Sequence, residues 1–85
     1  MNTRNIIENN FAEILREAGA NVPAHFSDEL VLLQSGLDSL GFAVLITRLE
    51  TACGYDPFTL MTEPFYPRTF GELVEVYDRF KAHAA

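Results

Sequence analysis

Leu33-Gln34-Ser35-Gly36-Leu37-Asp38-Ser39-Leu40 is the stretch on which the reading of this chain turns. Ser35-Gly36 is a turn signal, and Asp38 is a residue type that caps helices through its side-chain oxygen. From Ser39 onward apolar residues recur at helical spacing to about Cys53, where Gly54 supplies a stop. Placed ~100° apart, Phe42, Leu45, Ile46 and Leu49 fall in one sector about 100° wide, the expected core face. Leu40, Ala43, Val44 and Thr47 form a second, nearly opposite sector that is also apolar or small. Arg48 and Glu50 are the only charged residues of the helix. A helix apolar on two faces is either central or turns one face toward something else. Packing of the second face against the preceding loop remains the alternative.

Outward from this helix, Ile7, Phe11, Ile14, Leu15 and Ala18 make one stripe of an expected helix over about Thr3 to Ala18, with Gly19 at its end. From Ala20 to Asp38 periodicity is lost. Pro23, Ser27-Asp28-Glu29 and Ser35-Gly36 are turn signals, yet Phe26, Leu30, Leu32, Leu33 and Leu37 are strongly apolar. The simplest account is a long loop pinned to the core by its leucines, with one short turn after Ser27. Loops of this length in small domains are uncommon and often functional.

Beyond Gly54, Asp56-Pro57 reads as an N-cap and a first-turn proline opening a short helix through Phe58, Leu60 and Met61, which Pro64 and Pro67 must end. Thr69-Phe70-Gly71-Glu72 is a capping box, followed by the stripe Phe70, Leu73, Tyr77 and Phe80, with Val74 and Val76 flanking it. The expectation is an all-α, four-helix bundle: three longer helices, a short third one and a long first loop. Residues 1–85 are read as a single domain, with His83-Ala84-Ala85 as a frayed tail.

The chain has 85 residues, below the roughly 100–150 typical of a domain, and its 48% hydrophobic content with seven phenylalanines can still supply a core. Six basic residues against twelve acidic ones give a formal net charge of −6, which argues against nucleic acid and against an anionic membrane surface. No apolar run approaches the ~18 residues of a membrane span. The start, Met1-Asn2-Thr3-Arg4-Asn5, leads into an amphipathic segment rather than an apolar signal core. A cytoplasmic, monomeric protein that depends on partners is expected, since so small a domain has little room for a catalytic cleft.

Chemistry-bearing patterns are few. The single Cys53 excludes an internal disulfide framework and reads as a small buried hydrophobe. His25 and His83 lack metal-ligand spacing, and the carboxylates do not match a calcium loop. No metal site and no glycine-rich phosphate cradle is read. Ser39 lies in Gly36-Leu37-Asp38-Ser39-Leu40-Gly41, but its glycines do not have the Gly-x-Ser-x-Gly spacing of a nucleophile elbow and no strand precedes it. Without a base and an orienting partner, Ser39 is not an active-site nucleophile in its own right. What remains is a hydroxyl in the first turn of a helix, where an attached anion gains roughly 0.3–1 kcal/mol from the macrodipole and free amides. Plain capping by Asp38-Ser39 is the bland alternative.

Here the residues resemble a known family. Leu33-Gln34-Ser35-Gly36-Leu37-Asp38-Ser39-Leu40, ahead of a two-faced helix, is similar to the attachment motif of acyl and peptidyl carrier proteins. Size, acidity, long first loop, short third helix and capped fourth helix extend the likeness over nearly the whole chain. The resemblance implies a carrier-type bundle with 4′-phosphopantetheine esterified to Ser39 and with Asp38 and Leu40 as flanking motif residues. It implies a freestanding, non-catalytic carrier that holds acyl or aminoacyl cargo as a thioester. Implied partners are a phosphopantetheinyl transferase, a cargo-loading ligase or acyltransferase, and client enzymes. They would dock on Leu40, Ala43, Val44 and Thr47, with Arg48 at the rim. The chain departs from carriers of bacterial fatty-acid synthesis in having only Glu50 as an acid on this helix, and Gly41-Phe42 just past the serine. Gly41 costs up to ~1 kcal/mol of helix stability relative to Ala, which points to a tight approach or a bend there. These departures point to a specialised pathway: polyketide, nonribosomal-peptide or aminoacyl transfer. Glu63-Pro64-Phe65-Tyr66-Pro67 is also atypical and would stiffen a wall beside the arm. The alternative is an unmodified helical interaction module that keeps the fold without the arm.

Overall fold

The structure is a computed structural model and describes residues 2–83. Its first helix, α1 (Thr3–Glu17), starts where the Asn2 side chain accepts the Asn5 amide at 2.8 Å. Just past its C-cap, Ala18, the chain turns away at Gly19, whose φ of +73° is the left-handed geometry that glycine adopts without a Cβ penalty. The second helix, α2 (Ser39–Cys53), is closed by Gly54 at φ +89°. Asp56 opens α3 (Pro57–Leu60) by accepting the Phe58 amide at 2.9 Å. Thr69 and Glu72 form the reciprocal capping box of α4 (Phe70–Arg79). These four α-helices and two short 3₁₀ turns, Leu32–Gln34 and Lys81–His83, are the regular elements among the described residues. No strand is present there; Val31 and Thr69 make an isolated bridge.

Several boundaries differ from the sequence-based expectation. α3 stops at Leu60, and Met61 is already extended at φ −79°, ψ 143°. With Pro64 and Pro67 ahead barring further turns, the helix amounts to little more than a single turn. Val76, expected to flank the α4 stripe, is fully buried, whereas Phe80 lies beyond the helix and is half-buried. Of the expected frayed tail, the His83 backbone closes the last 3₁₀ turn, and Ala84 and Ala85 lie outside the described residues.

The core is one cluster in which α1 packs against α2 and α4. Ile7, Phe11 and Leu15 from α1, Leu45 and Leu49 from α2, and Phe70, Leu73 and Tyr77 from α4 are fully buried in it. The long loop is bound into this core. Phe26 packs at 5.3 Å from Phe11 and 5.2 Å from Phe70, ring centre to ring centre. The Arg4 guanidinium pairs with Asp28 at 2.7 Å, donates to the Phe26 carbonyl, and lies 5.0 Å over the Phe70 ring. Main-chain bonds then join the loop to the segment before α4: Leu32 N–H to the Arg68 carbonyl at 2.9 Å, and Phe70 N–H to the Leu30 carbonyl at 2.8 Å. The turn expected after Ser27 is present, with Leu30 N–H donating to the Ser27 carbonyl at 3.2 Å.

Leu33 departs from the picture of a loop pinned by all its leucines. Leu32 and Leu37 are 2% exposed, but Leu33 is 59% exposed. Residues adjacent in a 3₁₀ turn point about a third of a revolution apart, so seating Leu32 in the core turns Leu33 outward.

Candidate functional site

Ser39 is the first residue of α2 and is exposed. Asp38 caps the helix, its carboxylate accepting the Gly41 amide at 2.7 Å while its carbonyl accepts that of Phe42 at 2.8 Å. The amides of Ser39 and Leu40 precede the first intrahelical bond, which leaves this end of α2 suited to an anion. A phosphate ester therefore fits at Ser39: the hydroxyl is reachable, and the neighbouring Asp38 carboxylate is already engaged in capping.

The approach to Ser39 is held in place over the preceding turn. The Ser35 hydroxyl donates to the Leu32 carbonyl at 2.6 Å. Gly36 has φ +100°, and a Cβ there would lie 2.8 Å from that of Ala20. Leu37 is buried below the cap. Gly41 is the tight approach anticipated from its cost to the helix: a Cβ on it would come within 2.9 Å of Leu37 Cδ1 and 3.2 Å of the Asp38 carboxylate. A side chain at this position would have to displace the tip of Leu37 and crowd the cap in the first turn.

The second face of α2 is open to solvent. Leu40 is 74% exposed and Val44 36%, with Ala43 and Thr47 also exposed. The Thr47 hydroxyl donates to the Ala43 carbonyl at 3.0 Å, so its polar atom is turned back onto the helix. Arg48 is half-buried and reaches α1, where its guanidinium grips Glu17 in two bonds of 2.7 and 3.0 Å and lies 3.8 Å from Glu13. The hydrogen bonds from Arg48 hold the Glu17 carboxyl below its usual range.

On the face expected to be wholly core, Leu45 and Leu49 are buried but Phe42 and Ile46 are half-buried. They form one wall of an open groove of about 580 Å3, with Phe58, Met61, Phe65 and Tyr66 among the residues opposite. The groove escaped the helical-wheel reading because its far wall is irregular chain; the sequence signal that marks it is Phe65-Tyr66 held between Pro64 and Pro67.

The remaining candidates lie apart from chemistry. His25 is exposed, and burial pushes the half-buried Cys53 thiol up, away from the reactive thiolate. Among the described residues no three His, Cys, Asp or Glu side chains gather to hold a metal ion, and no helix is long and apolar enough to cross a membrane. Comparison with known proteins gives no match to a family model, a curated protein or a solved structure.

Proposed function

We propose that the chain is a carrier protein whose Ser39 bears 4′-phosphopantetheine. The observation that carries this reading is the exposed hydroxyl at the first residue of α2, set on a buttressed loop beside the exposed Leu40 and Val44. In the proposed modification, a phosphopantetheinyl transferase directs Ser39 Oγ onto the β-phosphorus of coenzyme A. The new O–P bond replaces the pyrophosphate P–O bond, adenosine 3′,5′-bisphosphate leaves, and the hydroxyl proton passes to a base of the transferase. The arm supplies a mobile terminal thiol for a thioester, whereas the chain's own thiol, Cys53, is half-buried and pushed up by burial. The protein itself catalyses nothing: Asp38 and the helix terminus hold the attachment point, and Leu40, Ala43, Val44 and Thr47 face the transferase, the loading enzyme and the clients.

The acyl-carrier form of the bundle belongs to the same proposal, as does a cytoplasmic role in a specialised biosynthetic pathway. The scarcity of acids on α2 supports the latter. Glu50 is its only carboxylate, and Arg48 is committed to α1. Coexpression with a broad-specificity transferase, followed by intact-mass measurement, tests the reading. A gain of one phosphopantetheine, abolished by Ser39→Ala, is the expected result. An unchanged wild-type mass overturns it and favours an unmodified interaction module built on the same exposed Leu40 and Val44.

A further inference from the structure

A second cavity, away from Ser39, adjoins the segment that follows α3. Its volume, about 490 Å3, lies within the roughly 300–1,000 Å3 range of small-molecule sites. Residues 61–65 line both this cavity and the groove beside α2. Leu60 at the end of α3, with Arg79 and Phe80 at the end of α4, lines the second cavity alone. Its walls join two kinds of chemistry. Leu60, Met61, Phe65 and Phe80 are apolar, and Leu60 and Phe65 stay exposed in the folded chain. Glu63 and Arg79 place opposite charges in the same lining. They do not pair with one another. Arg79 meets Glu75, four residues earlier on α4, at 3.3 Å, and Glu63 has no ion-pair partner among the described residues. Both members of the Arg79–Glu75 pair are more than half exposed, so it holds the guanidinium weakly and yields readily to another carboxylate.

We propose that this cavity binds a free α-amino acid with an apolar side chain. Its ammonium group pairs with Glu63, its carboxylate with Arg79, and its side chain covers Leu60, Met61, Phe65 and Phe80. An unpaired carboxylate and a lightly held guanidinium in one lining are what a ligand carrying both charges can bridge, each through a charge-assisted hydrogen bond. A simple carboxylate sets its charge against Glu63, and a simple amine sets its charge against Arg79, so either ligand forfeits one contact and meets one repulsion. The apolar walls then choose among amino acids. Phe65 and Phe80 offer ring faces and edges, which favours an aromatic side chain, whereas alanine leaves most of that surface uncovered. The site does not depend on Ser39 and belongs equally to the unmodified chain.

The test titrates the unmodified protein with L-phenylalanine and follows backbone amide shifts by two-dimensional NMR. Saturable shifts centred on residues 60–65 and 79–80 are expected, with a Kd of about 1 mM, as suits two solvent-exposed charge contacts and one ring. Phenylacetate and phenethylamine each lack one of the charges, and L-alanine lacks the ring. Each of the three is expected to bind at least about tenfold more weakly than phenylalanine. Glu63→Gln and Arg79→Gln should each weaken phenylalanine by about tenfold as well. Both side chains are exposed, so the melting temperature is expected to stay near that of the wild type, which verifies that the fold persists. Absence of saturable shifts in the wild type at roughly tenfold above the expected Kd overturns the proposal. Binding of phenylacetate or phenethylamine as tight as that of phenylalanine overturns the pairing with two charges. Shifts centred on Phe42 and Ile46, with affinity unchanged by Arg79→Gln, place the ligand in the groove beside α2 and overturn the assignment to this cavity. None of these outcomes alters the mass test of Ser39, so the two readings stand or fall separately.

Discussion

Gly36 fixes the chain direction three residues before Ser39, and it does so in a conformation that other residues resist. At φ +100° a Cβ is strained whatever the space, and here it would also meet Ala20 at 2.8 Å. Gly36→Ala combines a left-handed backbone penalty of about 1–2 kcal/mol with overpacking of similar size, so a loss of ~2–4 kcal/mol is expected from urea unfolding. An unchanged midpoint would show that the loop relaxes freely and does not hold Ser39. Gly41 belongs to the same device from the other side, since its missing side chain leaves room for Leu37 under the cap. The commonplace residues of the motif thus have separate duties: glycines admit the close approach, Leu37 anchors it, Asp38 caps, and Ser39 is left reachable.

At the scale of the element, α2 divides its circumference among three neighbours. Leu45 and Leu49 face the core, Phe42 and Ile46 face the groove, and Leu40 and Val44 face solvent. The exposed face makes a prediction about partners. Leu40→Asp places a carboxylate in the first turn of a helix, where the macrodipole favours it, so folding is expected to change by no more than about 1 kcal/mol in either direction. Val44→Asp tests the same face one turn further on. Each is expected to slow modification by the transferase about tenfold, the loss of a contact worth 1–2 kcal/mol, with helicity intact by circular dichroism. Modification at the wild-type rate would remove this face from the docking surface. Unfolding would instead return Leu40 and Val44 to the core.

At the scale of the molecule, helices and loop are joined by arginines set among an excess of acids: Arg4 ties α1 to the loop, and Arg48 ties α2 to α1. Because Arg48 lowers the folded-state pKa of Glu17, the pair's stabilisation is complete above the ordinary carboxylate value of about 4.3. It is lost as pH falls through the lower, folded value. Arg48→Gln is therefore expected to reduce the melting temperature more at pH 7 than in acid, so that its acid-induced drop is smaller than the wild type's. Equal drops in the two proteins would show that the pair contributes nothing. The helices, their caps and the exposed serine were legible in the sequence because each depends on residues close together in the chain: Asp38 on Gly41, Thr69 on Glu72, Gly54 on the turn before it. The outward turn of Leu33, the bond between Arg48 and Glu17, and the groove were not. Each requires segments distant in sequence to meet, and helical periodicity reports which residues share a face without saying what covers it. The sequence by itself determined an acidic all-helical chain with Ser39 at the head of a two-faced helix. Only the tertiary structure decided that half of the supposed core face stays open, because the chain packed opposite Phe42 and Ile46 is a proline-braced irregular segment that leaves a groove where a longer helix would have filled it.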